Sequence, residues 1–141
     1  MSQPEQQHRT MTYTAVKLEQ LPVTWPHFMG FIEDSLEYSD GLWLIEDVEK
    51  KLFQGEAVLW VAYNGSPNAA GVTWFEHFPH GKDLNMAFAG GQMASIKGLV
   101  QMGEEYTRSE GCQGVRCYGR RGWSKVLDGY KEISTISRKE L

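Results

Sequence analysis

The sequence predicts an α+β fold: one mixed, mostly antiparallel sheet flanked by helices, in the order β-α-α-β-β-β-α-β-α-β. Three observations carry this. Two early segments repeat apolar residues at helical spacing. Residues 57–88 then switch to strand character, three apolar runs divided by two turn-forming clusters. A long amphipathic segment and a short apolar one follow, as a strand–helix–strand crossover requires. The chain has 141 residues, 41% hydrophobic and 12% aromatic, enough for one core and one domain.

Residues 1–11 read as a polar N-terminal arm, and 12–141 as the domain. Tyr13, Ala15 and Leu18 alternate loosely and mark a first strand. Trp25, Phe28, Met29, Ile32 and Leu36 fall on one helical face, with Thr24 as the expected cap and Pro26 in the first turn. Ser39-Asp40-Gly41 breaks that helix. A second places Leu44, Ile45, Val48 and Leu52 inward and ends at Gly55. Ala57–Tyr63 is a continuous apolar strand, Asn64–Asn68 a turn, Ala69–Phe78 a strand, His80–Asp83 a turn and Leu84–Phe88 a third strand. Ala89-Gly90-Gly91-Gln92 leads into a long helix, Met93–Glu110, stopped by Gly111. Gly114–Tyr118 is a short strand, Gly122–Leu127 a short helix, and Ile133–Leu141 a final strand with a basic end.

Net charge is −4, against a coat for nucleic acid, which carries a basic excess. The charge is uneven: residues 1–95 hold 5 basic and 12 acidic side chains, residues 96–141 hold 9 and 6. Arg120, Arg121, Trp123 and Lys125 form the densest basic–aromatic cluster, one that suits a phosphate, a nucleic-acid backbone or an acidic partner. Trp123 also reads as the anchor of the short helix on the core. Cys112 and Cys117 are the two cysteines and imply no disulfide framework. His77 and His80, with Glu76 beside them, fall short of a metal set. No apolar run reaches the length of a membrane span, and the polar start is unlike a signal peptide.

The order of elements resembles the GNAT superfamily of acyl-CoA-dependent N-acyltransferases, over about Tyr13–Leu141. Three stretches resemble, more narrowly, small GNAT-like proteins encoded by bacteriophages: Gly55–Ala62, Ala89-Gly90-Gly91, and Gly119–Leu127. The resemblance implies an N-acetyltransferase using acetyl-CoA, or else a non-catalytic virion, assembly or host-interaction protein that keeps the fold. It implies phage structural proteins or a second copy as partners, and the host cytoplasm or the virion as location. Opposite charge on the acidic helices and the basic end would steer such self-association.

In that superfamily the acyl-CoA pyrophosphate rests on backbone N–H groups ahead of the long helix. The resemblance therefore assigns cofactor binding to Ala89, Gly90, Gly91, Gln92 and Met93, where a helix start offers free N–H donors. The segment departs from the usual pattern, an Arg or Gln, two further residues and then Gly-x-Gly or Gly-x-Ala, and this predicts weak or absent acetyl-CoA binding. Many members also carry a Tyr four residues before a Gly-aromatic pair as general acid. Here the pair is Gly129-Tyr130 and that place holds Lys125, which leaves Tyr118 as the acid. Glu76 and His77 are the candidates for the base. Adjacent strand residues face opposite ways, so one of the two points at the cleft.

Overall fold

A computed structural model describes residues 10–118, 123–134 and 136–141. The continuous apolar run becomes β2 (Val58–Tyr63), the second strand of a five-stranded sheet in the order β1-β2-β3-β4-β5. The other strands are β1 (Thr12–Ala15), β3 (Pro67–Phe78), β4 (Gly81–Gly91) and β5 (Gly114–Cys117). The first three pairings are antiparallel and β4–β5 is parallel.

Among the described residues four α-helices accompany the sheet: α1 (Leu21–Ser35), α2 (Ile45–Phe53), α3 (Met93–Ser109) and the short α4 (Trp123–Val126). Strand alternation sends Leu59, Val61, Ala70, Val72 and Phe88 toward α1 and α2, where Trp25, Phe28, Ile32, Val48 and Leu52 complete one core. Trp60, Ala62, Ala69 and Met86 pack on the other face with Ile96, Leu99 and Val100 of α3. On that side the Trp60 Nε1 donates to Thr73 Oγ1 at 2.8 Å, which satisfies two buried polar groups at once.

Three expectations are corrected. First, α1 starts at Leu21, four residues before Trp25, fed by a 3₁₀ turn at Leu18–Gln20. Pro22 takes the place in the first turn expected of Pro26, Pro26 lies inside the helix, and Thr24 is not the cap. Leu21 is buried, so burial sets the start and the helix absorbs one missing N–H. Second, β4 runs on through Gly91, so the glycine pair is strand rather than loop. Third, no described residue of 133–141 is in a strand. Ile133 and Ile136 are exposed, stand three apart and so share no strand face, and Arg138 instead donates to Asp40 at 2.8 Å. The arm at 1–9 and Gly119–Gly122, with Arg120 and Arg121, lie outside the described residues. Among the described residues no helix is long and apolar enough to cross a membrane.

Candidate active site

The site begins where pairing ends. Strand β5 follows β4 for four residues, from Asp83 opposite Gly114 to Met86 opposite Cys117. Strand β4 then continues five residues further, to Gly91, along an edge that β5 no longer covers. At the parting point β4 is irregular. The register with β3 passes from Val72–Phe88 to Thr73–Met86, which leaves Ala87 as an extra residue. Such a bulge bends the strand and takes one residue out of the ladder. Here it lets both Ala87 and Phe88 face the α1–α2 side.

Against this bend lies a cavity of about 330 Å³. Its floor is Ala87, Phe88 and Ala89 of β4, with Asn85 beside them. One wall is aromatic: Trp43 stacks on Trp74 with ring centres 5.5 Å apart, and both meet the Phe88 ring edge-on. Ser35, Tyr38 and Ser39, at the end of α1 and in the 3₁₀ turn that follows it, form a rim together with Tyr118 and Trp123. Asp40, in the left-handed conformation, and Gly41 turn the chain out of that rim toward Trp43.

Strand parity separates the two base candidates. Glu76 shares its face with Trp74 and lines the cavity. His77 takes the parity of Phe75, whose ring stacks on Tyr106 of α3, so it belongs to the other side of the sheet and away from the cavity. The Asn85 Nδ2 donates to Glu76 Oε1 at 3.0 Å. Asn85 is 2% exposed, and its Oδ1 is buried without a hydrogen-bond partner. The bond to Glu76 fixes which way the amide points and so aims an unsatisfied acceptor elsewhere.

Tyr118, just past β5, also lines the cavity, and its carbonyl accepts the Trp123 indole N–H at 3.1 Å. Arg116, on the same face of β5, donates from Nε to Asp83 at 2.7 Å and lies across the Phe78 ring at 4.3 Å. That bond to Asp83 holds the guanidinium proton above its ordinary range, against burial, which lowers it, and with a lesser contribution from the Tyr118 hydroxyl. Cys117 points to the opposite face, and burial there pushes its thiol up to about 12. Its neighbour Tyr130 is raised too, first by burial and then by Cys117, and its hydroxyl donates to Glu104 at 2.9 Å. Neither group is poised for chemistry at neutral pH. Among the described residues no three metal-ligating side chains cluster.

Of the five residues assigned to the cofactor, pairing separates two kinds. Gln92 N–H donates to the Asn68 carbonyl at 3.0 Å, and Gly90 stands in the ladder opposite Ala70. Antiparallel alternation commits both to β3 and turns Ala89 and Gly91 toward the uncovered edge. At the start of α3 the Gln92 carbonyl takes the N–H groups of Ser95 and Ile96, both at 3.0 Å. Met93 and Ala94 keep theirs without a helical acceptor, and no acidic residue lies in that first turn. Two donors on the strand edge are thus followed by two at the start of a helix dipole. They fit an extended amide-bearing chain ending in phosphates, as acetyl-CoA is.

The glycine pair has its own reasons. A side chain at Gly90 would overlap the Phe31 carbonyl of α1, and Gly91 adopts a φ of +117° against Asn68 and Ala69.

No family model and no curated protein matches the chain. Solved structures do. An aminoglycoside acetyltransferase from an uncultured soil metagenomic sample, in complex with sisomicin, is similar at a TM-score of 0.68 and 12% identity, covering 93% of this chain and 96% of that one. A predicted acetyltransferase with acetyl-CoA from Clostridium acetobutylicum gives 0.60 and 15%, over 94% and 96%. A GNAT family acetyltransferase from Staphylococcus aureus gives 0.64 and 12%, over 94% and 99%. The chain has the GNAT fold, over nearly its whole length.

Proposed function

We propose that this chain is an acyl-CoA-dependent N-acyltransferase that acetylates an amine held in the aromatic cavity. The observation that carries the reading is that Glu76 and Tyr118 line one cavity at the point where β4 outruns β5. Ala89 and Gly91 on the strand edge, with Met93 and Ala94 at the helix start, hold the acyl donor by backbone N–H groups. Bound acetyl-CoA supplies an acetyl group activated as a thioester.

The protein's own contribution is position and protons. The Glu76 carboxylate draws an ammonium into the cavity and accepts its proton, oriented by the Asn85 amide. Tyr118, which lines the same cavity, would give its hydroxyl proton to the leaving thiolate. The aromatic wall of Trp43, Trp74 and Phe88, partly buried, limits water around the reacting amine.

A release assay for free thiol, with acetyl-CoA and a panel of amines, tests this. Turnover lost in Glu76→Gln and kept in His77→Ala supports it. Acetyl-CoA that fails to bind in a calorimetric titration overturns it. That failure would favour the non-catalytic alternative, for which Gly90 speaks, since packing against Phe31 already accounts for it. For the biological setting we carry forward the sequence likeness to phage-encoded GNAT-like proteins, with the host cytoplasm or the virion as location. Detection of the protein in purified virions, and its mass by light scattering at low and high salt, tests that setting and the expected self-association.

A further inference from the structure

We infer that the amine acceptor is a monocation carried on a flat aromatic body, an aryl-alkyl monoamine. The inference rests on the acyltransferase reading above and concerns the same cavity. Three observations carry it.

The first is charge. Among the described residues, Glu76 is the one carboxylate that lines the cavity. Asp83, on the same face of the sheet, is committed to Arg116 at 2.7 Å. Asp40, at the rim, is committed to Arg138 at 2.8 Å. Glu49, on α2 behind the aromatic wall, accepts the Trp25 indole N–H at 2.7 Å. One uncompensated carboxylate matches one ammonium.

The second is polarity along the cavity. The Lys51 ammonium lies 4.6 Å from the centre of the Trp74 ring. The aromatic end of the cavity therefore already has a cation beside it, and a second positive charge there would be repelled. A polycation, which would place one charge at Glu76 and another toward Trp74, is disfavoured. An uncharged ring is not.

The third is shape. Trp43, Trp74 and Phe88 present stacked and edge-on ring surfaces at that end, the arrangement that recognises another flat ring. A volume of about 330 Å³ is at the small end of ligand clefts, enough for a one- or two-ring amine.

The test is direct binding, read from intrinsic fluorescence, since Trp43, Trp74 and Trp123 all line the cavity. Phenethylamine is titrated into the full chain beside spermidine and glucosamine 6-phosphate, with acetyl-CoA binding measured separately by calorimetry. Phenethylamine is expected to bind about tenfold or more tightly than either, the scale of one well-placed charge with its ring contacts. In Glu76→Gln its affinity should fall by about tenfold, while 2-phenylethanol, the uncharged analogue, should bind as before. Spermidine or the sugar phosphate binding as tightly as phenethylamine overturns the inference, as does a variant that weakens amine and alcohol alike.

The panel on the unaltered chain decides the matter even if the variant does not fold. Acetyl-CoA binding without phenethylamine binding, with the donor present or absent, overturns this inference and leaves the acyltransferase reading standing. Phenethylamine binding without acetyl-CoA binding overturns the acyltransferase reading, and with it the role of acceptor, and leaves the cavity as a binding site for such an amine. Failure of both removes both.

Discussion

Replacing Gly90 by alanine separates the two uses a glycine pair can have ahead of a helix. The added Cβ would overlap the Phe31 carbonyl oxygen and stand 2.9 Å from its carbon and 3.3 Å from its Cα. Ordinary contact begins near 3.4 Å, so even the carbonyl carbon must retreat by about half an ångström, and the oxygen by more. These are backbone atoms of α1, and that helix is anchored by Trp25, Phe28 and Ile32 in the core, so it cannot yield as a side-chain tip would. Overpacking typically costs about 1–3 kcal/mol, and a rigid neighbour puts this site near the upper end. For a chain of this size about 3 kcal/mol lowers Tm by about 10 °C. Thermal and denaturant unfolding of Gly90→Ala, followed by circular dichroism without any ligand, reads the effect. A variant within about 0.5 kcal/mol of the parent, but unable to bind acetyl-CoA, would refute the packing argument and restore the glycine as part of a phosphate cradle.

Other expectations follow from the same geometry. Glu76→Gln and Tyr118→Phe should each lower turnover by about 10²–10⁴-fold, with His77→Ala near the parent rate; steady-state kinetics of thiol release checks all three. Stability should fall with rising pH above 9, because an unfolded chain releases the Cys117 proton there while burial makes the folded chain keep it to about 12. The stabilisation is present below pH 9 and is lost by up to about 1.4 kcal/mol per pH unit through that window, with Tyr130 adding to the slope above its ordinary value of 10.0. Urea midpoints from pH 8 to 11 should show a shallower slope in Cys117→Ala. Thr73→Val removes the buried acceptor of the Trp60 indole N–H and should cost about 1–3 kcal/mol in denaturant unfolding.

The alternation and helical spacing that make β2, β3, α2 and α3 are visible in the chain because each element buries one consistent face. Where burial is decided by distant partners, the local pattern misleads. The anchor that starts α1 is Leu21, a residue outside the spacing that marks the helix. Ile133 and Ile136 read as strand, yet no described strand lies beside them. Glu76 and His77 could be told apart by parity with Trp74, once Trp74 is known to face α2, and that knowledge is tertiary. Asn85 had a local signal: it is the one polar side chain in the apolar run Leu84–Phe88. Trp43 and Arg116 come from separate elements, and no spacing announces that the first stacks on Trp74 or that the second pairs with Asp83. The bulge at Ala87, which sets where the strands part, depends on a register between β3 and β4 that the residues of neither strand specify alone.

The two ends of the described chain lie against opposite halves of the site. Met11 leads into β1 with its sulfur 3.9 Å from Ser95 Oγ, in the first turn of α3. Arg138 is tied to Asp40, one residue beyond the rim formed by Tyr38 and Ser39. A fusion partner joined ahead of Thr10 therefore crowds the helix start, and one joined after Leu141 crowds the mouth of the aromatic cavity. Under the acyltransferase function proposed above, two-substrate kinetics should show the first raising the KM for the acyl donor and the second raising the KM for the amine. The position of an affinity tag thus becomes an instrument: two proteins identical in sequence content, differing in which end carries the tag, should report separately on the acyl-donor and amine sides of the proposed site.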